Sequence, residues 1–360
     1  MKKIYILQPA IPKYRVPLFN GLNEKYKIHV FSTKCDFLGV KSTSIDNKFD
    51  QTLSHGFRSL HGVFFWHRNL PLLSTYKKDD IVVINGNPRI LNYMLLFVLL
   101  RVRGIKTIWW GHGWSAGSFG LMASIRIKLM ELATAILVYT DKERELLSKP
   151  NCYALNNGLD SSEIKECIKK ISIERLTKPL EFQLVFVGRI TEKANFELLL
   201  KSMTKLNKNI HLNVIGSGDK VDFYTSMADE LGISDRVHWH GAIFNEMDTA
   251  KIMLSSHAFI YAGSVGLSLI HAFNYGLPAI VHSNEIYHMP EFSAFENGIN
   301  GISFQKDCLV DLVDKVNELS SLDGVTYAAM SKKAFDTVEN SYNINDMVLR
   351  FSTMIEELKL

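Results

Sequence analysis

Short runs of apolar and β-branched residues recur along the first part of the chain, at Ile4–Leu7, Ile28–Phe31, Ile81–Ile84, Thr107–Trp110 and Ala135–Tyr139. Longer segments with helical spacing, such as Leu91–Arg101 and Ser124–Leu132, lie between them. The alternation predicts βα units around a mostly parallel sheet, and strands apolar on both faces fit a sheet covered by helices on both sides. After the polar stretch Ser161–Lys178 the pattern restarts, with runs at Leu184–Val187, His211–Ile215, Val237–Trp239, Ala258–Ile260 and Ala279–Val281. The prediction is therefore α/β with two doubly wound, Rossmann-like domains, an N-terminal one over residues 1–160 and a C-terminal one over residues 181–343. Residues 344–360, with Met347, Leu349, Phe351, Met354, Ile355 and Leu358 at helical spacing, read as a closing helix that packs back on the first domain. Open α/β sheets take ligands outside the carboxyl ends of their strands, so two such domains facing each other are expected to form a cleft that holds the chemistry.

Length agrees: 360 residues, 47% of them apolar, exceed what one core usually holds. The longest apolar run, Met94–Leu100, is far short of the roughly 20 residues that span a bilayer. Gln8, Pro9 and Pro12 interrupt the start before a signal-peptide core can form. The four cysteines, at 35, 152, 167 and 308, make no CxxC pair and no zinc-like spacing, which points to free thiols in a reducing compartment and a cytoplasmic location.

Charge changes the picture more. The overall +4 divides into +11 for residues 1–160 and −7 for residues 161–360. A basic first domain without any nucleic-acid module excludes nucleic acid and suggests a lipid surface or a phosphorylated acceptor. Leu91–Arg103, with Lys106, Trp109, Trp110, Arg126 and Lys128, has the composition of an interfacial membrane surface on the inner face of the cytoplasmic membrane. The same residues also fit a core helix and a buried strand end.

Three loops carry candidate chemistry. The strand ending in Gly188 and Arg189, with Lys193 four residues on, can bring backbone and two cations to a diphosphate. Gly216, Ser217 and Gly218 follow the next strand and can offer N–H groups to a phosphate or nucleoside. Ser264, Val265, Gly266 and Leu267 form a small-residue loop opening into an apolar helix, whose positive end suits an anion. His112 lies just past a strand between two glycines and is expected to project into the site, and Tyr14 and Arg15 in the first loop are candidate acceptor contacts.

The order of these motifs resembles the group 1 (family 4) glycosyltransferases of the GT-B fold, most clearly from Leu184 to Phe304. Pro12–Phe19, His112-Gly113 and Asn157-Gly158 fall where that family has its first loop, its active-site histidine and its domain junction. The resemblance implies sugar transfer from a nucleotide donor, a UDP- rather than a GDP-sugar, with retention of configuration and without a required metal or other cofactor. It implies catalytic roles for His112, Arg189 and Lys193. Donor contacts would come from Gly188, Gly216, Ser217, Gly218, Ser264, Val265, Gly266, Leu267, His271 and Glu291. The acceptor would be a glycan or lipid-linked oligosaccharide of a bacterial surface polysaccharide such as O-antigen or capsule.

Two departures stand out. Gly263 and His271 occupy the places of the family's two glutamates, and the family's phosphate lysine falls on Ala194, one position after Lys193. A histidine at 271 is expected to reach ribose hydroxyls through either ring nitrogen. A nucleotide-sugar epimerase of the same fold and a binding protein without catalysis are the alternative readings.

Overall fold

The computed structural model describes residues 3–37, 40, 42, 47–113, 120–173 and 181–358. Trp114, residues 174–180 of the polar junction and residues 359–360 of the closing helix lie outside them. The chain forms two compact units, one of Met1–Asn156 with Ile344–Leu360 and one of Asn157–Asn343.

The strands of the first unit are β1 (Lys3–Leu7), β2 (Lys27–Thr33), β3 (Asp50–Ser54), the hairpin β4 (Phe57–Leu60) and β5 (Phe64–His67), then β6 (Ile81–Asn85), β7 (Lys106–Trp110), β8 (Ala135–Val138) and β9 (Cys152–Ala154). Seven of them make one sheet in the order β3-β2-β1-β6-β7-β8-β9, parallel throughout. The hairpin stands apart as a two-stranded antiparallel ribbon. In the second unit β10 (Phe182–Val187), β11 (Ile210–Ile215), β12 (Val237–Gly241), β13 (Ala258–Tyr261), β14 (Ala279–His282) and β15 (Gly301–Phe304) form a parallel sheet in the order β12-β11-β10-β13-β14-β15. The strand order reverses between β1 and β6 in one sheet and between β10 and β13 in the other. Neighbouring loops there leave in opposite directions, which opens a crevice at the carboxyl ends of the strands.

Burial explains why these segments are strands. Ile81–Ile84, Ala135–Val138 and Ala258–Tyr261 are buried at every position, so both sheet faces are covered. Successive side chains alternate between the two cores of the first sheet. Trp110 packs edge-on to Phe19, with centroids 6.0 Å apart, while Trp109 stacks on Phe97 at 5.4 Å in the other core. Both indoles are buried, so neither contributes to an interfacial membrane surface.

The polar stretch after Asn157 is less of a linker than its composition suggests. Ser162–Ile173 is a helix of the second unit, because Ile164, Cys167 and Ile171 line up at helical spacing and join its core. Two chain segments pass side by side at this point, with Leu159 N–H donating to Tyr342 O at 3.3 Å. A Cβ on Gly158 would collide with the backbone of Tyr342, so only glycine allows the approach. The helix Ile344–Glu357 then buries Met347, Phe351, Met354 and Ile355 in the core of the first unit, beside the helix Val16–Lys25.

Arg236 ties the second sheet to the helix Phe196–Met203. Its buried guanidinium donates to the carbonyl oxygens of Met203 (2.6 Å), Asn207 (3.2 Å) and Ile210 (3.4 Å). Arg236→Met should leave these acceptors unpaired and destabilise the second unit by about 2–3 kcal/mol. Calorimetry checks this, and an unchanged melting temperature would show that water replaces the guanidinium at no cost.

Candidate functional site

In the second unit the loops after β10, β11 and β13 are laced together by backbone. Gly188 N–H donates to Ile215 O, Ile190 N–H to Ser217 O, Gly216 N–H to Gly241 O and Ser264 N–H to Lys193 O, all within 3.0 Å. A Cβ at Gly216 would strike the carbonyl of Gly188, and one at Gly263 the carbonyl of Lys193. The place of the family's first glutamate therefore has no room for a side chain unless the turn Glu192–Ala194 moves.

This lacing sets Arg189 and Lys193 at the switch point of the sheet, beside the loop 262–266. Both side chains are exposed, and neither has an acidic partner among the described residues. Tyr261 lies beneath Arg189. Its ring stacks on Phe186 at 4.7 Å and touches Gly188, and burial pushes its hydroxyl up to about 12 against the opposing pull of Arg189. It is thus a neutral hydrogen-bond donor at neutral pH.

The loop before the helix Leu267–Asn274 is held from two sides. Val265 N–H donates to His288 Nδ1 at 3.1 Å, and His288 Nε2–H donates to His282 O at 2.8 Å, which fixes the tautomer. Met289 N–H returns to Val265 O at 3.0 Å. The expectation that Val265 offers its N–H to a ligand is corrected here, since His288 takes it, as Lys193 O takes that of Ser264. Gly266, with the first-turn N–H groups of Leu267 and Ser268, forms the free positive end of the helix. Glu291 lies buried under Gly266 and accepts from the amide of Asn157. It supports the loop from below, in a 3₁₀ turn Pro290–Ala294.

His271 is also more constrained than its sequence position implies. Its Nε2 is 2.8 Å from Glu246 Oε1, and Tyr275 O–H donates to the same oxygen. A carboxylate only accepts, so Nε2 carries the proton and is spent on Glu246, leaving Nδ1 for other partners. Burial and the Glu246 carboxylate push the Tyr275 hydroxyl up, keeping it neutral. Glu246 and His288 were not singled out from the sequence, and Asn157 was marked there only as part of the domain junction. Glu246 reads there as an ordinary acid in the first turn of a helix capped by Asn245, and His288 carries no local motif.

In the first unit a second group of residues gathers at the carboxyl ends of β1, β7 and β8. The His112 ring lies 4.3 Å from that of Tyr139, with Nδ1 3.6 Å from Glu143 Oε1. Glu143 is buried and accepts the N–H groups of Gly113 (3.3 Å) and Tyr139 (3.0 Å), which pins the loop bearing His112. Arg15 is 8% exposed, and its guanidinium carbon lies 5.3 Å from the Tyr14 ring, 5.1 Å from Trp110 and 5.4 Å from Tyr139. No described carboxylate pairs with it, and Nη1 has no hydrogen-bond partner. Cation–π contacts return about 0.5–2 kcal/mol each, which offsets only part of the several kcal/mol that desolvating an ion costs. Arg15 and His112 thus share Tyr139 as a neighbour, while Arg189, Lys193, His271 and Glu291 belong to the other unit.

Two parallel sheets of Rossmann order, with free cations and a glycine loop at the switch point of the second, define a GT-B-type fold. The family "Glycosyl transferases group 1" matches residues 168–337, most of the second unit. Among curated relatives, an uncharacterized glycosyltransferase of Methanocaldococcus jannaschii is 31% identical over 109 residues, covering 29% of this chain and 27% of the relative. A lipopolysaccharide 1,6-galactosyltransferase of Salmonella typhimurium is 22% identical over 201 residues, covering 51% of this chain and 54% of the relative. The matches thus span about a quarter and about half of those relatives' lengths. Solved structures similar over the whole fold include a sucrose-phosphate synthase from Thermosynechococcus elongatus, with a TM-score of 0.74 at 14% identity, covering 100% of this chain and 99% of that one. HepE of Anabaena in complex with UDP has a TM-score of 0.68 at 11% identity, covering 99% of this chain and 100% of that one.

Burial holds His282 down to about 4 and His288 down to about 3, with the neighbouring Lys306 and His282 adding to the respective effects. Unfolded histidines take up protons below about 6.5, which these two cannot do until far lower pH. Stability of the second unit should therefore be flat above pH 6.5 and fall as pH drops toward 4, by about 2 kcal/mol for each histidine at pH 5. His288→Gln keeps an acceptor for Val265 and a donor for His282 O, and should flatten part of that fall. Melting curves across this range check it, and identical pH slopes in both proteins would refute the assignment.

Proposed function

We propose that the protein is a glycosyltransferase that moves a sugar from a UDP-sugar to a glycan or lipid-linked acceptor in bacterial surface polysaccharide assembly. The second unit binds the donor and the basic first unit binds the acceptor. The observation that carries this reading is the pair of exposed, unpaired cations Arg189 and Lys193 beside the free helix end at Gly266. UDP in the similar HepE structure and the lipopolysaccharide galactosyltransferase among the relatives support it.

The chemistry follows from charge. Cleavage of the glycosidic bond to the donor places negative charge on the departing diphosphate. Arg189, Lys193 and the N–H groups around Gly266 stabilise that charge without reorganising. His112, steadied by Tyr139 and by the Glu143-pinned loop, positions the donor sugar or its phosphate while the acceptor hydroxyl attacks. The reaction retains anomeric configuration and needs no metal, because the fixed cations take the role a metal would have at the diphosphate.

Arg189→Ala should weaken UDP binding and lower kcat/KM by roughly 100-fold, with Lys193→Ala following in the same direction. In thermal unfolding, UDP at about 100 times its Kd should stabilise the wild type by about 2.7 kcal/mol and the Arg189 variant hardly at all. Equal UDP affinity in the two proteins would remove the diphosphate role. Conversion of the donor without any acceptor would mark an epimerase instead.

The enzyme works at the inner face of the cytoplasmic membrane. Among the described residues no helix is long and apolar enough to cross a membrane. The helix Leu91–Val102, however, leaves Leu95, Val98 and Val102 exposed on one side beside exposed Arg101 and Arg103. This combination suits an anionic interface. Val102→Asp, at a position 82% exposed, should cut binding to anionic vesicles at low salt without changing the fold. Binding equal to wild type would place the attachment elsewhere or nowhere.

A further inference from the structure

We infer that Arg15 is the receptor for an oxyanion, a phosphate or carboxylate, carried by a substrate of the first unit. Three independent observations meet there. Arg15 is 8% exposed and has no counter-ion among the described residues, and a buried unpaired ion is a costly feature that folding alone does not favour. Its Nη1 and the neighbouring indole Nε1 of Trp110 are both buried donors without an acceptor, and neither group can accept a hydrogen bond itself. The helix Val16–Lys25 begins at the next residue and has no acidic side chain in its first turn, so its positive end adds to the local positive potential.

The surroundings select the ligand. The rings of Tyr14, Trp110 and Tyr139 lie 5.1–5.4 Å from the guanidinium carbon, and no described carboxylate pairs with it. A planar fork matches two oxygens of a phosphate or carboxylate, which a lysine ammonium does not. Tyr139 joins this site to His112, whose ring lies 4.3 Å from its own. The oxyanion is thus bound next to a residue placed at the reacting sugar. The identity of the substrates rests on the glycosyltransferase reading, whereas the need for an anion at Arg15 does not.

Calorimetric titration of the full chain separates the sources of the anion. Glucuronate and glucose 1-phosphate represent charged acceptor groups, glucose is their uncharged control, and UDP represents the donor. If the acceptor supplies the anion, both charged sugars bind more tightly than glucose. Arg15→Gln then weakens them by roughly 10- to 100-fold, Arg15→Lys recovers only part of the loss, and UDP affinity is unchanged by Arg15→Gln. If the donor supplies it, Arg15→Gln lowers UDP affinity as Arg189→Ala does. Wild-type affinities for all three anions in Arg15→Gln, or no preference of the wild type for charged over uncharged sugar at millimolar concentration, would overturn the proposal. Arg15→Met adds a readout that a structural role would reverse. Its melting temperature should equal or exceed that of the wild type, because removing an unpaired buried charge relieves the free protein, and a lowered one would assign Arg15 to the fold. Failure of UDP to bind would count against the donor reading without touching this result.

Discussion

Close backbone packing between glycine-bearing loops at the carboxyl edge of the second sheet is the constraint on which the site depends. Gly216 lies against Gly188 and Gly263 against Lys193, so strand ends, turn and helix start behave as one piece. The side chains that matter, Arg189 and Lys193, branch from that piece and need no hydrogen bonds of their own to be placed. A site built in this way holds its geometry while leaving its cations unpaired and open to an anion.

The two units manage unpaired positive charge in opposite ways. Arg189 and Lys193 stay exposed, so water solvates them until an anion arrives, and little stability is sacrificed. Arg15 is buried among aromatic rings, where no described carboxylate offsets its charge. The first arrangement favours easy release of ligand, and the second favours selectivity, since an uncharged competitor leaves the guanidinium no better off.

Much of the fold was legible because parallel strands covered on both faces must be apolar throughout, and runs such as Ile81–Ile84 and Ala258–Ile260 can be little else. The position of Gly188 and Arg189 at a strand end was legible for a related reason: glycine next to a cation after an apolar run is a local pattern. What escaped was whatever depends on residues distant in sequence. His288 reaches Val265 across 23 positions and Glu246 reaches His271 across 25, and nothing in either neighbourhood announces the partner. Ser162–Ile173 was read as linker because its charged outer face outweighs the three buried residues that dock it. Trp109 and Trp110, adjacent in sequence, suggested an interfacial pair, yet strand alternation sends them into separate cores.

The first unit is assembled from two stretches of chain with the whole of the second between them. During synthesis the second unit can therefore complete its core while the first still lacks Met347, Phe351 and Met354. Until those residues leave the ribosome, the apolar side of the helix Val16–Lys25 remains uncovered. The nascent chain carries that sticky surface through most of its translation. The order in which the units mature is thus the reverse of the order in which they begin.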